Sequence, residues 1–119
     1  GYCNEKSIEL ISDAIKNNKY LQRLDLSLNG FGSGNEKNIR LISDAIENNK
    51  YLQQLDLINN GLGSGNEKKI SLISDAIKNN KHLQQLDLSY NNLGYGNEKN
   101  NEIIRDAIKY NKKLVNYTY

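Results

Sequence analysis

The glycine-rich turn GLGSG at residues 61–65 has the composition of a loop that could hold a phosphate. Alternating apolar residues before it predict a strand, and the polar segment after it could begin a helix. Glycine loops in that place can cradle phosphates on backbone amides, but a dinucleotide site needs only one of them. Here the turn recurs at residues 30–34 and, modified, at 92–96. Its apolar residue is in turn Phe31, Leu62 and Leu93. We therefore predict that the glycines turn the chain and that no cofactor binds.

His82 and Cys3 are the other residues whose side chains could do chemistry. His82 is the only histidine and has no Asp, Cys or His partner at ligand spacing, so we predict no metal site. Cys3 is the only cysteine, which rules out a disulfide within the chain and favours an intracellular, cytoplasmic location. We interpret it as a tolerated small residue near a chain end. No nucleophile and base can be paired, so the chain is predicted not to be an enzyme.

A 31-residue repeat organises the whole sequence. The chain aligns with itself without a gap as residues 4–34, 35–65 and 66–96, with a partial copy at 97–119. Each copy begins with apolar residues at helical spacing and continues with leucines that alternate with polar residues, as in a strand with one wet face. We predict one domain over residues 1–119, made of helix–strand units that bury their apolar faces only by stacking.

The ends of the predicted helices carry capping signals. Ser33 and Glu36, like Ser64 and Glu67, are spaced as a capping box, in which the serine accepts from a helical amide. Asn97 is predicted to cap the last helix, which lacks such a serine. Asn residues 48 and 49 at the far end suit a left-handed helix stop.

The pattern LxxLxLxxNxLG appears three times in register. In the second copy it consists of Leu52, Leu55, Leu57, Asn60, Leu62 and Gly63. It resembles the leucine-rich repeat family, and the long helical half resembles the ribonuclease-inhibitor-like subclass. The resemblance implies a short, curved α/β solenoid with parallel strands on the concave side and helices on the convex side. It also implies that Asn29, Asn60 and Asn91 form a buried structural ladder.

Charge argues against two classes of partner. The net charge of +2 is too small to indicate nucleic-acid binding by itself, and no apolar run is long enough to cross a bilayer. We therefore expect neither nucleic acid nor membrane as a partner. Two lysine rows follow the repeat, one near the helix starts and one after the helix ends, where it complements the negative helix terminus. They are Lys6, Lys37, Lys68 and Lys99, and Lys19, Lys50, Lys81 and Lys112.

The predicted concave face offers residues that could bind a partner protein. Asp25, Asp56 and Asp87 fall on the outward side of successive strands, about 5 Å apart, as a row screened by water or as a ridge for a basic segment. Leu28, Ile58 and Tyr90 follow the strands and form either an apolar contact strip or neutral variation. The remaining candidates are Gln22, Arg23, Gln53, Gln54, Gln84 and Gln85.

These patterns favour a protein–protein interaction module without catalysis. One alternative is a self-assembling or structural element, or a piece of a longer repeat protein. The edge for weak self-association would be Val115, Tyr117, Thr118 and Tyr119 in the last predicted strand. Another alternative, allowed by the resemblance, is a regulator of an enzyme, such as an inhibitor or a GTPase-activating relative. A GTPase-activating role would need a catalytic residue outside the repeat consensus, and we identify none.

Overall fold

A computed structural model of the chain describes residues 5–93 and 98–118. Four helix–strand pairs follow one another. The helices are α1 Glu5–Asn17, α2 Glu36–Asn48, α3 Glu67–Asn79 and α4 Glu98–Tyr110, and the strands are β1 Arg23–Asp25, β2 Gln54–Asp56, β3 Gln85–Asp87 and β4 Asn116–Thr118. Within these described residues, no helix combines the length and apolar character needed to span a membrane.

The four strands form one parallel sheet in the order β1-β2-β3-β4. Partners lie one repeat apart, so that Leu24 pairs with Leu55, Leu55 with Leu86, and Leu86 with Tyr117. The helices pack against one another in the same order. Strands in a sheet are about 4.8 Å apart whereas packed helices need 8–10 Å, so the stack bends with the strands on its inner side. The predicted α/β solenoid fold is confirmed.

The core lies between the helices and the sheet and is most complete in the two middle repeats. Leu52, Leu55 and Leu57 of the second repeat have 0–1% of their surface exposed, and Leu62 has none. In the first repeat, Leu24 is only half-buried. Since burying a leucine contributes about 1.5–3 kcal/mol, the middle repeats supply most of the apolar stabilisation.

The two end helices present different outer faces. In α1, Leu10 is 64% exposed and Ile11 is 39% exposed, so this face is apolar. At the helix–helix contact, Ser43 and Ser74 are buried, whereas the equivalent position of α4 is the exposed Arg105. The α4 end of the stack is therefore the more polar one.

The helix ends differ from the capping prediction. Asn35 caps α2 by accepting from the amide of Lys37 at 2.8 Å, and Asn66 caps α3. The capping-box prediction is wrong, because the helix begins two residues later than that box requires. Ser33 lies within the glycine turn, where its hydroxyl donates to the carbonyl of Gly30. Asn97 lies outside the described residues.

The predicted left-handed helix stop is also wrong. Asn49 has φ −72° and ψ 123°, and Asn80 has nearly the same values, so both are extended. Their side chains are buried instead, in contacts described below.

Candidate functional site

The glycine turns of successive repeats stack directly on each other. Gly30 and Gly61 have φ angles of 65° and 67°, a conformation that glycine adopts without strain. A Cβ on Gly32 would lie 1.9 Å from the carbonyl oxygen of Gly61, so only glycine fits there. The amides of Gly32 and Gly63 donate to carbonyls of the next repeat at 2.8 and 2.9 Å. These amides, which a phosphate would need, are already used within the stack.

A row of asparagines lies just after the strands, and we call it the strand-end ladder (Asn29, Asn60, Asn91). Asn60 and Asn91 are each 1% exposed, and Asn29, at the end of the row, is half-buried. The Oδ1 atom of Asn60 accepts from the amide of Asn29 at 2.9 Å, and its Nδ2 donates to the carbonyl of Leu26 at 2.9 Å. Asn91 makes the same bonds to the amide of Asn60 and the carbonyl of Leu57. Asn60 and Asn91 thus each tie their repeat to the one before, whereas the Nδ2 of Asn29 donates to Leu26 and Ser27 of its own repeat.

A second asparagine row, which sequence analysis missed, lies at the helix ends. We call it the helix-end ladder (Asn49, Asn80, Asn111), and its members are 1–5% exposed. Asn49 donates from Nδ2 to the carbonyl of Ile15 at 2.7 Å, and its Oδ1 accepts from the amides of Tyr51 and Leu52 at 2.8 Å. The signal was in the sequence, because asparagine occupies this position in all four copies.

The three aspartates of the strand row differ in exposure. Asp56 is only 4% exposed, and its carboxylate accepts from Nη2 and Nε of Arg23 at 2.8 and 3.2 Å. Asp25, by contrast, is exposed, and Asp87 is half-buried. The Arg23 guanidinium, on the neighbouring strand, covers Asp56, so this carboxylate is buried although Asp56 lines the same depression of the sheet face as Gln85 and Asp87.

The residue two positions later explains the difference. Asp25 accepts from the amide and hydroxyl of Ser27, as Asp87 does from Ser89. The hydrogen bond from the Ser27 hydroxyl is the main reason that the pKa of Asp25 lies below its ordinary value of 3.8. Asp56 is followed at this spacing by Ile58, which has no hydroxyl, and it binds arginine instead.

The predicted apolar strip combines two different repeat positions. Leu28 and Tyr90 are 66% and 80% exposed, and both align with Asn59 rather than with Ile58, which is half-buried. All three aligned residues have positive φ, from 54° to 63°. Such a conformation costs bulky residues about 1–3 kcal/mol. It is held by bonds between repeats, such as that from the amide of Leu28 to the carbonyl of Ile58. The strip is therefore not a straight apolar row.

The glutamines occupy two neighbouring rows: Gln54 and Gln85 lie on strands β2 and β3, whereas Gln22, Gln53 and Gln84 line the groove at the edge described below. Gln22, Gln53, Gln84 and Gln85 are exposed, and Gln54 is half-buried. Backbone hydrogen bonds join successive repeats at these glutamines, since the amides of residues 53 and 54 both donate to the carbonyl of Gln22. All five glutamines of the chain are in this set.

A shallow groove of about 380 Å³ runs along the edge where the chain approaches each strand. We call its charged and aromatic wall the lysine rim. Its members are Lys19, Tyr20, Lys50, Tyr51, Lys81, His82 and Lys113. Sequence analysis identified the row Lys19, Lys50, Lys81 and Lys112 and assigned it only to the helix termini. The groove contains the first three of these lysines, and its fourth lysine is Lys113, at the repeat position of Tyr20, Tyr51 and His82. Sequence analysis missed that the row shares a groove with the aromatic residues.

The last strand leaves one edge of the sheet without a neighbour among the described residues. It is β4 Asn116–Thr118, which begins one residue after Val115, and among the described strands it pairs with β3 alone. Val115 is 75% exposed and Tyr117 is 51% exposed. Tyr119, the last residue predicted for this edge, lies outside the described residues.

The described part of the chain contains no cluster of three or more His, Cys, Asp and Glu side chains arranged to hold a metal ion. His82 is exposed on the lysine rim beside Lys81. Cys3 lies outside the described residues.

Comparison with known proteins agrees with the architecture. The family model described as "Leucine Rich repeat" matches residues 17–34 and 79–96, the same part of two copies of the repeat. The chain is built from leucine-rich repeats. This match does not distinguish subclasses, so the ribonuclease-inhibitor-like assignment stays a prediction. No curated protein sequence matches this leucine-rich-repeat chain.

Two solved structures are similar to this leucine-rich-repeat chain. One is described as leiomodin-1 actin-binding site 2, with a TM-score of 0.67 and 19% identity over 98% of this chain. The present chain spans 64% of that structure's length, and the similarity shows a shared fold. The other, the tropomodulin C-terminal domain of Caenorhabditis elegans, has a TM-score of 0.48 and 11% identity, covering 93% of this chain and 81% of its own.

Proposed function

We propose that this leucine-rich-repeat chain binds a partner protein on the concave face of its sheet and catalyses no reaction. The observation that carries the proposal is the row of exposed glutamines on a backbone bonded from repeat to repeat. A glutamine side chain offers both a donor and an acceptor, so an array of them can recognise a protein surface.

Rigidity of this face supports the proposal. The strand-end ladder and the helix-end ladder lie on either side of the strands, and each bonds neighbouring repeats. A surface that is already ordered loses little conformational entropy on binding, which leaves more free energy for affinity. The leiomodin-1 segment of the same fold is described as an actin-binding site, so this fold can provide a surface that binds another protein.

The second candidate function is weak self-association through β4. Its outer edge is not covered by another strand of the described chain, and Val115 beside it is exposed. An uncovered edge can pair with a strand of a second molecule. The carbonyl of Thr118 accepts from the amide of Leu88, so the Thr118 backbone faces β3. Thr118→Pro should therefore disrupt the edge strand β4 and favour the monomer in sedimentation experiments. A parent chain that stays monomeric at every accessible concentration would exclude this function.

A GTPase-activating role has less support than inhibition of an enzyme by simple binding. Arg23 is the arginine that departs from the repeat consensus on the sheet, where Gln54 and Gln85 occupy the same register. Its guanidinium already binds the carboxylate of Asp56. We therefore propose no catalytic role for Arg23. We also propose that the chain acts in the cytoplasm.

Capture of partners by immobilised chain tests the proposed face. Gln54→Arg with Gln85→Arg adds two positive charges to strands β2 and β3 of the sheet. The matched control, Asp13→Asn with Asp75→Asn, changes the net charge equally on exposed helical positions. A protein captured by the parent and the helix variant, but not by the sheet variant, is expected. Loss of capture by the helix variant alone would overturn the proposal.

A further inference from the structure

The lysine rim holds its residues at a regular spacing. In the second repeat, Lys50 and Tyr51 lie between Asn49, which is bonded to the preceding repeat, and Gln53, whose amide donates to the carbonyl of Gln22 at 2.8 Å. The third repeat repeats these bonds around Lys81. Because the residues on both sides of the rim position are bonded to the preceding repeat, equivalent rim residues of successive repeats lie about 4.8 Å apart, which is the spacing of the strands.

The charges of the lysine rim are not used inside the protein. Neither Lys19, Lys50, Lys81 nor Lys113 forms an ion pair with any residue of the described chain. The groove wall contains no acidic residue, so these ammonium groups repel one another without compensation. Two lysines outside the rim do have ionic partners, since Lys68 pairs with Glu36 and Lys16 with Asp44. A concentrated positive row on a nearly neutral chain is suited to a ligand with a negative row.

We infer that the lysine rim binds an α-helix of a partner protein that presents one row of carboxylates along its face. One helical turn advances about 5.4 Å, close to the strand spacing of about 4.8 Å, so four successive turns stay within about 2 Å of four repeats. Alternate residues of an extended peptide advance about 6.8 Å and fall about 6 Å out of step over the same distance.

The aromatic residues of the rim fit a protein ligand better than a nucleic acid. Tyr20 is 89% exposed and Tyr51 is 48% exposed, and they occupy the same position of successive repeats. A base inserted between two rings needs about 6.8 Å, twice the stacking distance of about 3.4 Å, which exceeds the strand spacing. Tyrosine hydroxyls can instead donate to carboxylates, and the rings can cover the methylene stems of the helix side chains.

This inference rests on the proposed function, because it names the chemistry of a partner at one edge of the same concave face. Experiments can disprove the rim inference without disproving the proposed function. If the sheet variant Gln54→Arg with Gln85→Arg loses a captured partner while reversal of the rim charges does not, the face binds a protein and the rim inference is wrong.

The direct test uses two labelled helical peptides of identical composition. In the first, glutamates recur once per turn on one face, and in the second they are distributed around the helix. Fluorescence anisotropy at low salt should show at least about tenfold tighter binding of the one-face peptide, and the affinity should fall as salt rises. Equal affinity for the two peptides, or no binding of either, would overturn the inference.

Charge reversal locates the site. Lys50→Glu with Lys81→Glu should lower the affinity for the one-face peptide by at least about tenfold. The matched control, Lys6→Glu with Lys78→Glu, makes the same change in net charge on exposed helical positions and should leave binding within about twofold. Circular dichroism establishes that both variants fold, and Lys50→Gln provides a milder rim variant with an intermediate loss. Equal losses from both double variants, or tighter binding of a single-stranded oligonucleotide than of the peptide, would contradict the inference.

Discussion

The two edges of the concave sheet use their charged residues in opposite ways. At the strand ends, the carboxylates bind groups of the chain itself: Asp25 binds Ser27, Asp56 binds Arg23, and Asp87 binds Ser89. On the lysine rim, the ammonium groups have no ionic partner within the described chain. The comparison teaches that charge at one edge stabilises the fold, whereas charge at the other remains available for a ligand.

Removing a ladder asparagine should have the largest effect on stability. Asn60→Ala removes the acceptor of the amides of Asn29 and Phe31 and one of the donors to the carbonyl of Leu26, at a cost of about 1–3 kcal/mol in unfolding free energy. The control is its exposed neighbour: Asn59→Gly, which keeps the left-handed backbone, should cost about half a kcal/mol or less. Urea denaturation measures both. Equal midpoints would mean that the strand-end ladder does not hold the repeats together.

The helix-end ladder offers a second matched pair. Asn80→Ala removes the side chain that donates to the carbonyl of Ile46 at 2.7 Å and accepts from the amide of Leu83, so a loss of about 1–3 kcal/mol is expected. Asn79 is exposed and bonds only the exposed end of Glu47, so Asn79→Ala should cost under about 1 kcal/mol. Thermal unfolding of the two variants would contradict the account if Asn79→Ala were the more damaging.

The Arg23–Asp56 ion pair should contribute less to the free energy of unfolding than a ladder asparagine, because 63% of the Arg23 side chain is exposed. Arg23→Gln leaves a buried carboxylate with weaker donors, and we expect a loss of about 1 kcal/mol after allowing for solvent screening. Ile58→Ser restores the serine found after Asp25 and Asp87, so its cost should be smaller in the Arg23→Gln background than in the parent. A double-mutant cycle measures this difference. Simple additivity would show that serine cannot replace the guanidinium.

The smallest effect concerns the titration of Asp25. Its folded pKa is lowered, so the stabilisation is present above the unfolded value, near 3.8, and is lost as pH falls through the folded pKa. Ser27→Ala removes the main cause, and the carboxyl titration followed by NMR should move up toward 3.8 while stability at neutral pH changes little. An unchanged titration would assign the shift to another group.

The features that recur in every repeat could be predicted from the sequence, whereas those that depend on a residue found in only one repeat could not. Leu55 and Asn60 are buried as their positions in the pattern imply, because every copy makes the same contacts. The burial of Asp56 could not be predicted, since it depends on an arginine 33 positions away and on an isoleucine at residue 58. Asn49 was misinterpreted for another reason: a local helix stop and a ladder between repeats select the same residue type.

The most direct test of the proposed function uses the glutamine side-chain amides as reporters. Gln54 and Gln85 lie on the strands, and Gln22, Gln53 and Gln84 line the groove at their edge, so the five glutamine signals report on this side of the molecule. On addition of a captured partner protein, these signals should shift, while the side-chain amides of the buried Asn60 and Asn80 remain in place. Unchanged glutamine signals, together with shifts of backbone amides in the helices, would show that the partner binds the convex side and would contradict the proposed function.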